Sequence, residues 1–192
     1  MCLFTHQKEP VTSNKDIKCY KVVRKCTDKD NNVYYMPLFN FTHNIRYYLG
    51  MTVDMNDSVV PRVKDIFKSE KNEIKVNEKH FTHPYKVEEG LHSFTNKNTF
   101  WKSVARWGIK NIEIDDKWIW EDIFKDVRIT VIECVIPAGV PFFTGEHNCL
   151  PHKNDRMKEM GYCSTKLKFV KEIPDNKWRI EYSDEKNTYV KK

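Results

Sequence analysis

Apolar residues along this chain recur mostly at every second position, the period of a strand that buries one face. The stretch DIKCYKVVRK (16–25) puts Ile17, Cys19 and Val23 on one side and Tyr20, Val22 and Arg24 on the other. After the turn CTDKDNN, the aromatic-rich runs VYYMPLFNF (33–41) and IRYYLGMTVDM (45–55) predict two more strands, paired through Thr42–Asn44. Pro37 has no N–H to give a ladder, so its strand is expected at an edge or a bend. DVRITVIECVIPAGVPFF (126–143) is apolar on both sides: Val127, Ile129, Val131 and Val135 on one, Ile132, Cys134 and Ile136 on the other. That pattern predicts a central strand. The PAG turn then leads into a short strand at Val140–Phe143. YCSTKLKFVKEI (162–173) alternates, with Leu167, Phe169 and Ile173 expected inward and Lys166, Lys168 and Glu172 outward. KWRIEYS (177–183) suggests a last edge strand.

The period changes after Gly90. A brief strand at Leu91–Phe94 is followed by Phe100, Trp101, Val104 and Ala105, which fall on one helical face. Thr95 or Asn96 suits the start of such a helix and Gly108 its end, so a helix is expected over about 96–107. Residues 56–80 and 109–126 follow neither period and read as insertions within a single domain, 1–192; Trp118, Trp120 and Phe124 mark the second as core cover. Residues 145–161 read as a polar loop. The expected fold is α+β: a curved, mainly antiparallel sheet with one clear helix and long irregular insertions.

A chain of 192 residues and 23.0 kDa buries roughly 70% of its unfolded surface, enough for a core without staples. With 13% aromatic residues it does not have the composition of a disordered chain. The net charge of +6 suggests nucleic acid less than it seems to, because acids alternate with bases, as in KDIFKSEKNEIKVNEK. That mixture is a solvated face, and nucleic acid is not an expected partner. The N-terminal region reaches Pro10 before any leader-like apolar run, and no stretch approaches the ~20 apolar residues of a membrane helix. With six cysteines in a chain this long, the expectation is a cytoplasmic protein with reduced thiols and no membrane contact.

Candidate chemistry gathers at EEGLHSFTNKN (88–98). A helix starting there would present unpaired N–H groups and the positive end of its dipole, which suit phosphate or carboxylate. His92, Ser93, Thr95, Asn96 and Lys97 would supply polar partners. If the first strand lies alongside, Arg24 would grip the anion and Tyr20 would stack on a base. The bland alternative is that these residues only cap a helix around a structural histidine. Glu133 interrupts an apolar strand face, so it must be paired, protonated or in a cleft. His147, Cys149, His152 and Cys163 are zinc-type donors, but their spacing matches no standard set, and no metal or cofactor is expected. No phosphate loop, nucleophile elbow or H-E-x-x-H is present.

Several short motifs together are similar to a loose group of small uncharacterised proteins of phages and gut bacteria. They are the MCL start, the CYKVV strand, EEGLHSF, the IPAG turn and TKLKFVKEI. That resemblance implies a cytoplasmic accessory protein, plausibly phage-encoded, and brings no chemistry of its own. At the level of fold the order of features also resembles the ADP-ribosyltransferases, which hold NAD in a bent sheet. Arg24, Ser93 or Ser164, and Glu133 or Glu172 would then be the working residues. The Glu-x-Glu and Ser-Thr-Ser elements are missing; CST at 163–165 is a partial echo.

The favoured expectation is a non-enzymatic binding protein for an anionic ligand, in its narrower form one that sequesters a nucleotide signal. One alternative is an NAD-dependent transferase with Glu133 or Glu172 as the catalytic carboxylate. Another is a virion-structural or host-protein-interaction protein, for which Tyr34, Tyr35, Tyr47 and Tyr48 would suit an interface. A homo-oligomer is compatible with each.

Overall fold

The computed structural model describes residues 3–37, 46–55, 63–65, 85–96, 124–147, 160–174, 180–183 and 188–191. Strands hold 63% of these residues and none is helical. The α+β expectation is therefore corrected: the described residues form an all-β structure. The helix expected over 96–107 lies outside them except for Asn96, as do most of the insertions at 56–80 and 109–126. The physical reason for the correction at Thr95 is visible. Its backbone N–H and its hydroxyl both donate to the Met160 carbonyl, at 3.1 and 3.3 Å, so the side chain meant to cap a helix ties down a strand end instead.

The described residues hold thirteen strands, in chain order: β1 (Leu3–Thr5), β2 (Ile17–Asp28), β3 (Val33–Pro37), β4 (Thr52–Asp54), β5 (Val63–Asp65), β6 (Tyr85–Val87), β7 (Leu91–Phe94), β8 (Phe124–Ile136), β9 (Phe142–Glu146), β10 (Met160–Ser164), β11 (Lys166–Ile173), β12 (Ile180–Ser183) and β13 (Thr188–Lys191). Eleven of them make one antiparallel sheet in the order β4-β11-β8-β2-β7-β10-β9-β1-β6-β5, with β3 joined to β2 off this path. β12 and β13 pair with each other.

The expected single strand at 162–173 is broken by a bend at Thr165 into β10 and β11. These two are continuous in the chain yet separated in the sheet by β8, β2 and β7. The sheet must therefore curl until the path β11-β8-β2-β7-β10 returns to itself through Thr165. The bend is secured by the Ser164 hydroxyl, which donates to the Lys166 carbonyl at 2.9 Å, and by the Met55 N–H, which donates to the Thr165 carbonyl. Inside the curl, Cys19, Val23, Leu91, Ile132, Cys134, Leu167 and Phe169 form one core with Tyr35, Tyr47 and Phe142. Tyr47 stacks on Phe169 with ring centroids 4.6 Å apart.

The two-sided apolar pattern of β8 has the expected consequence: the strand lies between β2 and β11, with Val131 and Ile132 both fully buried. Of the expected pairing of 33–41 with 45–55, the described residues show one bridge, Tyr35 with Tyr47, and the chain then turns at Leu49–Gly50 so that β4 joins β11; residues 38–45 lie outside them. Pro37 ends β3, where its missing N–H costs least.

One expectation about faces is overturned. A β-bulge between Phe169 and Lys171 shifts the register of β11 by one residue. Glu172 thus falls opposite Ile132 on the core side, not outward, and Ile173 falls opposite Val131 on the other side. Among the described residues no helix is long and apolar enough to cross a membrane, which leaves strand-built spans unaddressed.

Candidate functional site

The sheet forks at Lys21. One edge of β2 runs along β8 from Ile17 to Asp28. Its other edge changes partner. It meets β7 at Tyr20 opposite Phe94, and β3 from Val23 opposite Pro37 onward. Between those pairings β7 and β3 diverge. In a continued ladder Val22 would lie opposite His92; instead the Lys21 ammonium donates to the His92 carbonyl oxygen at 2.7 Å. A side chain has replaced a missing rung and satisfies a backbone acceptor that burial would otherwise penalise.

That replacement leaves a cation in an unusual place. Lys18, Lys25, Lys86, Lys166 and Lys171 each meet a carboxylate. Among the described residues none approaches Lys21. The titratable groups that act on its amine are the thiols of Cys134, Cys19 and Cys163. Desolvation holds the Lys21 amine below its usual range, and the thiols oppose that only in part. The pH dependence follows in sign. The unfolded chain, with lysine near 10.4, binds more protons than the folded chain, so stability rises with pH from the lowered folded value up to the unfolded one. Lys21→Met is expected to abolish this rise and to raise the melting temperature near neutral pH. Thermal unfolding followed between about pH 7 and pH 10 tests it; a variant that keeps the wild-type slope refutes the assignment.

Beside Lys21 lies a second desolvated base. His92 is buried on β7, directly opposite Cys163 on β10. The Cys163 sulfur is 3.8 Å from His92 Nε2 and donates to the Glu89 carbonyl at 3.2 Å. Burial, then the charges of His147 and Lys21, hold the His92 imidazole well below its usual range. His92 Nδ1 and the Ser93 hydroxyl form no hydrogen bond of good geometry, although both are buried. The Ser93 hydroxyl sits beside the Cys19 thiol. His147 closes the cluster. Its Nε2 is 2.9 Å from the Ser93 carbonyl oxygen, and its ring packs edge-on against Phe94 and His92, with centroids 4.7 and 5.7 Å away. This contact needs Gly161, since a Cβ there would collide with the His147 ring.

The expected ligand residues are only partly gathered. Tyr20, Arg24 and His92 share one side of the sheet, whereas Ser93 points to the other. Arg24 is buried two residues beyond Val22, flanked by Met36 and Ile129 in the register. Tyr20 lies under the Lys18 ammonium, 5.9 Å from its ring centroid. Thr95 serves the strand end and Asn96 is exposed; Lys97 lies outside the described residues. The residue that sequence reasoning misses is Lys21. Its signal was a lysine between Cys19 and Val23, on a face otherwise apolar.

The two candidate carboxylates are occupied. Glu133 meets Lys18 at 2.6 Å and Lys171 at 3.6 Å. Glu172, turned inward by the bulge, receives Lys25 at 2.6 Å, Thr130 at 2.9 Å and Tyr35 at 3.1 Å. Burial pushes the Glu172 carboxyl up, but the bonds from Lys25 and Thr130 outweigh it and hold the group below its usual range. Arg24 and Glu172 project from opposite sides of the sheet, so the sheet does not join them in one site. Of the zinc-type donors, Cys149 and His152 lie outside the described residues; among those described, no group of three His, Cys, Asp or Glu is placed to hold a metal.

Fold and site together define, among the described residues, an antiparallel sheet with a desolvated cationic fork. The chain matches no protein-family model, no curated protein and no solved structure.

Proposed function

We propose that this protein is a binding module that holds a small anionic ligand at the fork between β2, β3 and β7, with Lys21 as its counter-charge. The observation that carries this reading is the Lys21 ammonium, desolvated and without a carboxylate among the described residues. A charge in that position costs several kcal/mol if left alone, and an anion that meets it recovers much of that cost. His92, beside it, adds a donor whenever a bound anion favours its protonated form. Arg24, three residues on from Lys21 in β2, faces the opposite side of the sheet from it and takes no part in this site. Phosphate and nucleotide phosphates have the matching charge, and the narrower version of the reading is sequestration of a nucleotide signal by a cytoplasmic accessory protein.

The test is thermal unfolding with inorganic phosphate, nucleoside phosphates, cyclic dinucleotides and NAD. A ligand at a hundredfold excess over its Kd stabilises by about 2.7 kcal/mol. Wild-type protein is expected to gain melting temperature with at least one of these, and Lys21→Met is expected to lose that gain. Equal responses from both proteins, or none from either, would sink the reading.

A further inference from the structure

The thiol at the fork has a use that ligand binding does not require. Cys163 is fully buried, with its sulfur 3.8 Å from His92 Nε2. The same buried imidazole contacts the Glu88 backbone, and its Nδ1 makes no hydrogen bond of good geometry. We infer that Cys163 and His92 form a nucleophile–base pair that takes small anionic disulfides by thiol–disulfide exchange.

The geometry selects among electrophiles. Acyl transfer builds negative charge on an oxygen next to the attacking sulfur and needs N–H donors aimed at it. The backbone group that faces the Cys163 sulfur is the Glu89 carbonyl, 3.2 Å away, which would repel such an oxygen. Exchange places no charge on oxygen. The Cys163 proton passes to His92 Nε2, and the thiolate attacks one sulfur of the incoming disulfide. A new S–S bond joins that half to Cys163 while the original S–S bond breaks. The other half leaves as a thiolate and takes the proton from His92. Burial keeps the resting imidazole uncharged, and the thiolate formed 3.8 Å away favours its protonated form during the transfer. Preference for an anionic disulfide rests on the Lys21 site proposed above, since the Lys21 charge is felt at Cys163.

Selectivity among thiols follows from place. Cys19 and Cys134 face each other inside the curl, and burial pushes the Cys19 thiol up to about 11 and that of Cys134 higher still. Neither forms a thiolate readily. Access to Cys163 comes through the fork, where β7 is joined to β2 by one residue pair and the Lys21 bond. Such weakly paired strands open locally at low cost.

The experiment incubates the full chain near neutral pH with oxidised glutathione, which is anionic, or hydroxyethyl disulfide, which is neutral, and maps mixed disulfides by peptide mass spectrometry. Cys163 is expected to react faster than Cys19 and Cys134, and faster with the anionic probe. His92→Gln is expected to slow the Cys163 reaction by about a hundredfold at neutral pH, with the deficit shrinking in alkali as hydroxide takes over the base's part. Lys21→Met should remove the preference for the anionic probe. Cys163 reacting no faster than Cys19 and Cys134, or a rate indifferent to His92→Gln, overturns the pair. A fast, His92-dependent reaction without anionic preference overturns the substrate class and, with it, the ligand reading, while the pair stands. Should His92→Gln fail to fold, the wild-type contrast among the three cysteines decides.

Discussion

Glu172→Ala is expected to destabilise the protein by about 2–4 kcal/mol and to flatten its acid unfolding. Three donors converge on this carboxylate: the Lys25 ammonium, the Thr130 hydroxyl and the Tyr35 phenol. Removing it leaves all three without their acceptor, and Thr130 is fully buried. The pair Lys25–Glu172 is about one-fifth exposed, at 18% and 21%, so part of the charge cost is relieved by water, and the estimate sits below that of a fully buried pair. The sign of the pH effect follows from the lowered carboxyl. Its stabilisation is complete above the unfolded value near 4.3 and is lost as pH falls through the lower folded value. Wild-type protein should therefore lose stability over that window, and the variant should lose less. Urea unfolding at neutral and acidic pH, with the slope checked for constancy, measures both effects. A variant within a few tenths of a kcal/mol of wild type at neutral pH would show that the inward carboxylate contributes nothing. Glu172→Gln keeps an acceptor for Thr130 and should fall between the two.

Gly161→Ala is expected to cost about 3 kcal/mol, at the upper end for overpacking. The added Cβ would collide with the His147 imidazole and lie 2.5 Å from the Ser93 carbonyl oxygen. The ring can rotate away, but the carbonyl belongs to β7 and cannot move without shifting β7 against β10. For a chain of this size the loss corresponds to a fall of roughly 6–12 °C in melting temperature. The double variant Gly161→Ala/His147→Ala separates the two collisions. If the ring is the main obstacle, the pair of changes is less damaging than their sum, with a coupling of about 1 kcal/mol or more. Strict additivity would place the whole cost on the backbone. The same shift of β7 alters the distance between His92 and Cys163, so the thiol exchange rate should change in parallel with stability.

These two predictions rest on features of very different legibility. Gly161 was read as the end of a polar loop, whereas it lies in β10, and nothing in the run MGYCS says that a histidine from 14 residues earlier packs onto it. Glu172 was legible as a strand residue and misread as an outward one, because a bulge inserts an uncounted residue and inverts every face beyond it. Glu133 was read as a carboxylate that must be paired, protonated or in a cleft, and of these the structure shows pairing, with Lys18. The anion site proposed here lies near His92, as the expected one did, but rests on a different physical basis. Instead of a helix N-terminus, Lys21 stands at a gap between strands.

What the sequence determined by itself was local: where several of the longer strands lie, which of them bury both faces, and where the chain must turn. Alternation, two-sided apolar runs and Pro or Gly at turns act over a few residues, and they read directly. What only the tertiary structure decided was partnership. The fork at Lys21 exists because β2 exchanges β7 for β3 along one edge. The thiol meets its imidazole because β7 and β10, 71 residues apart, pair in a register that sets His92 opposite Cys163. Register between distant strands depends on the summed packing of both faces and on every bulge along the way. No local pattern carries that sum.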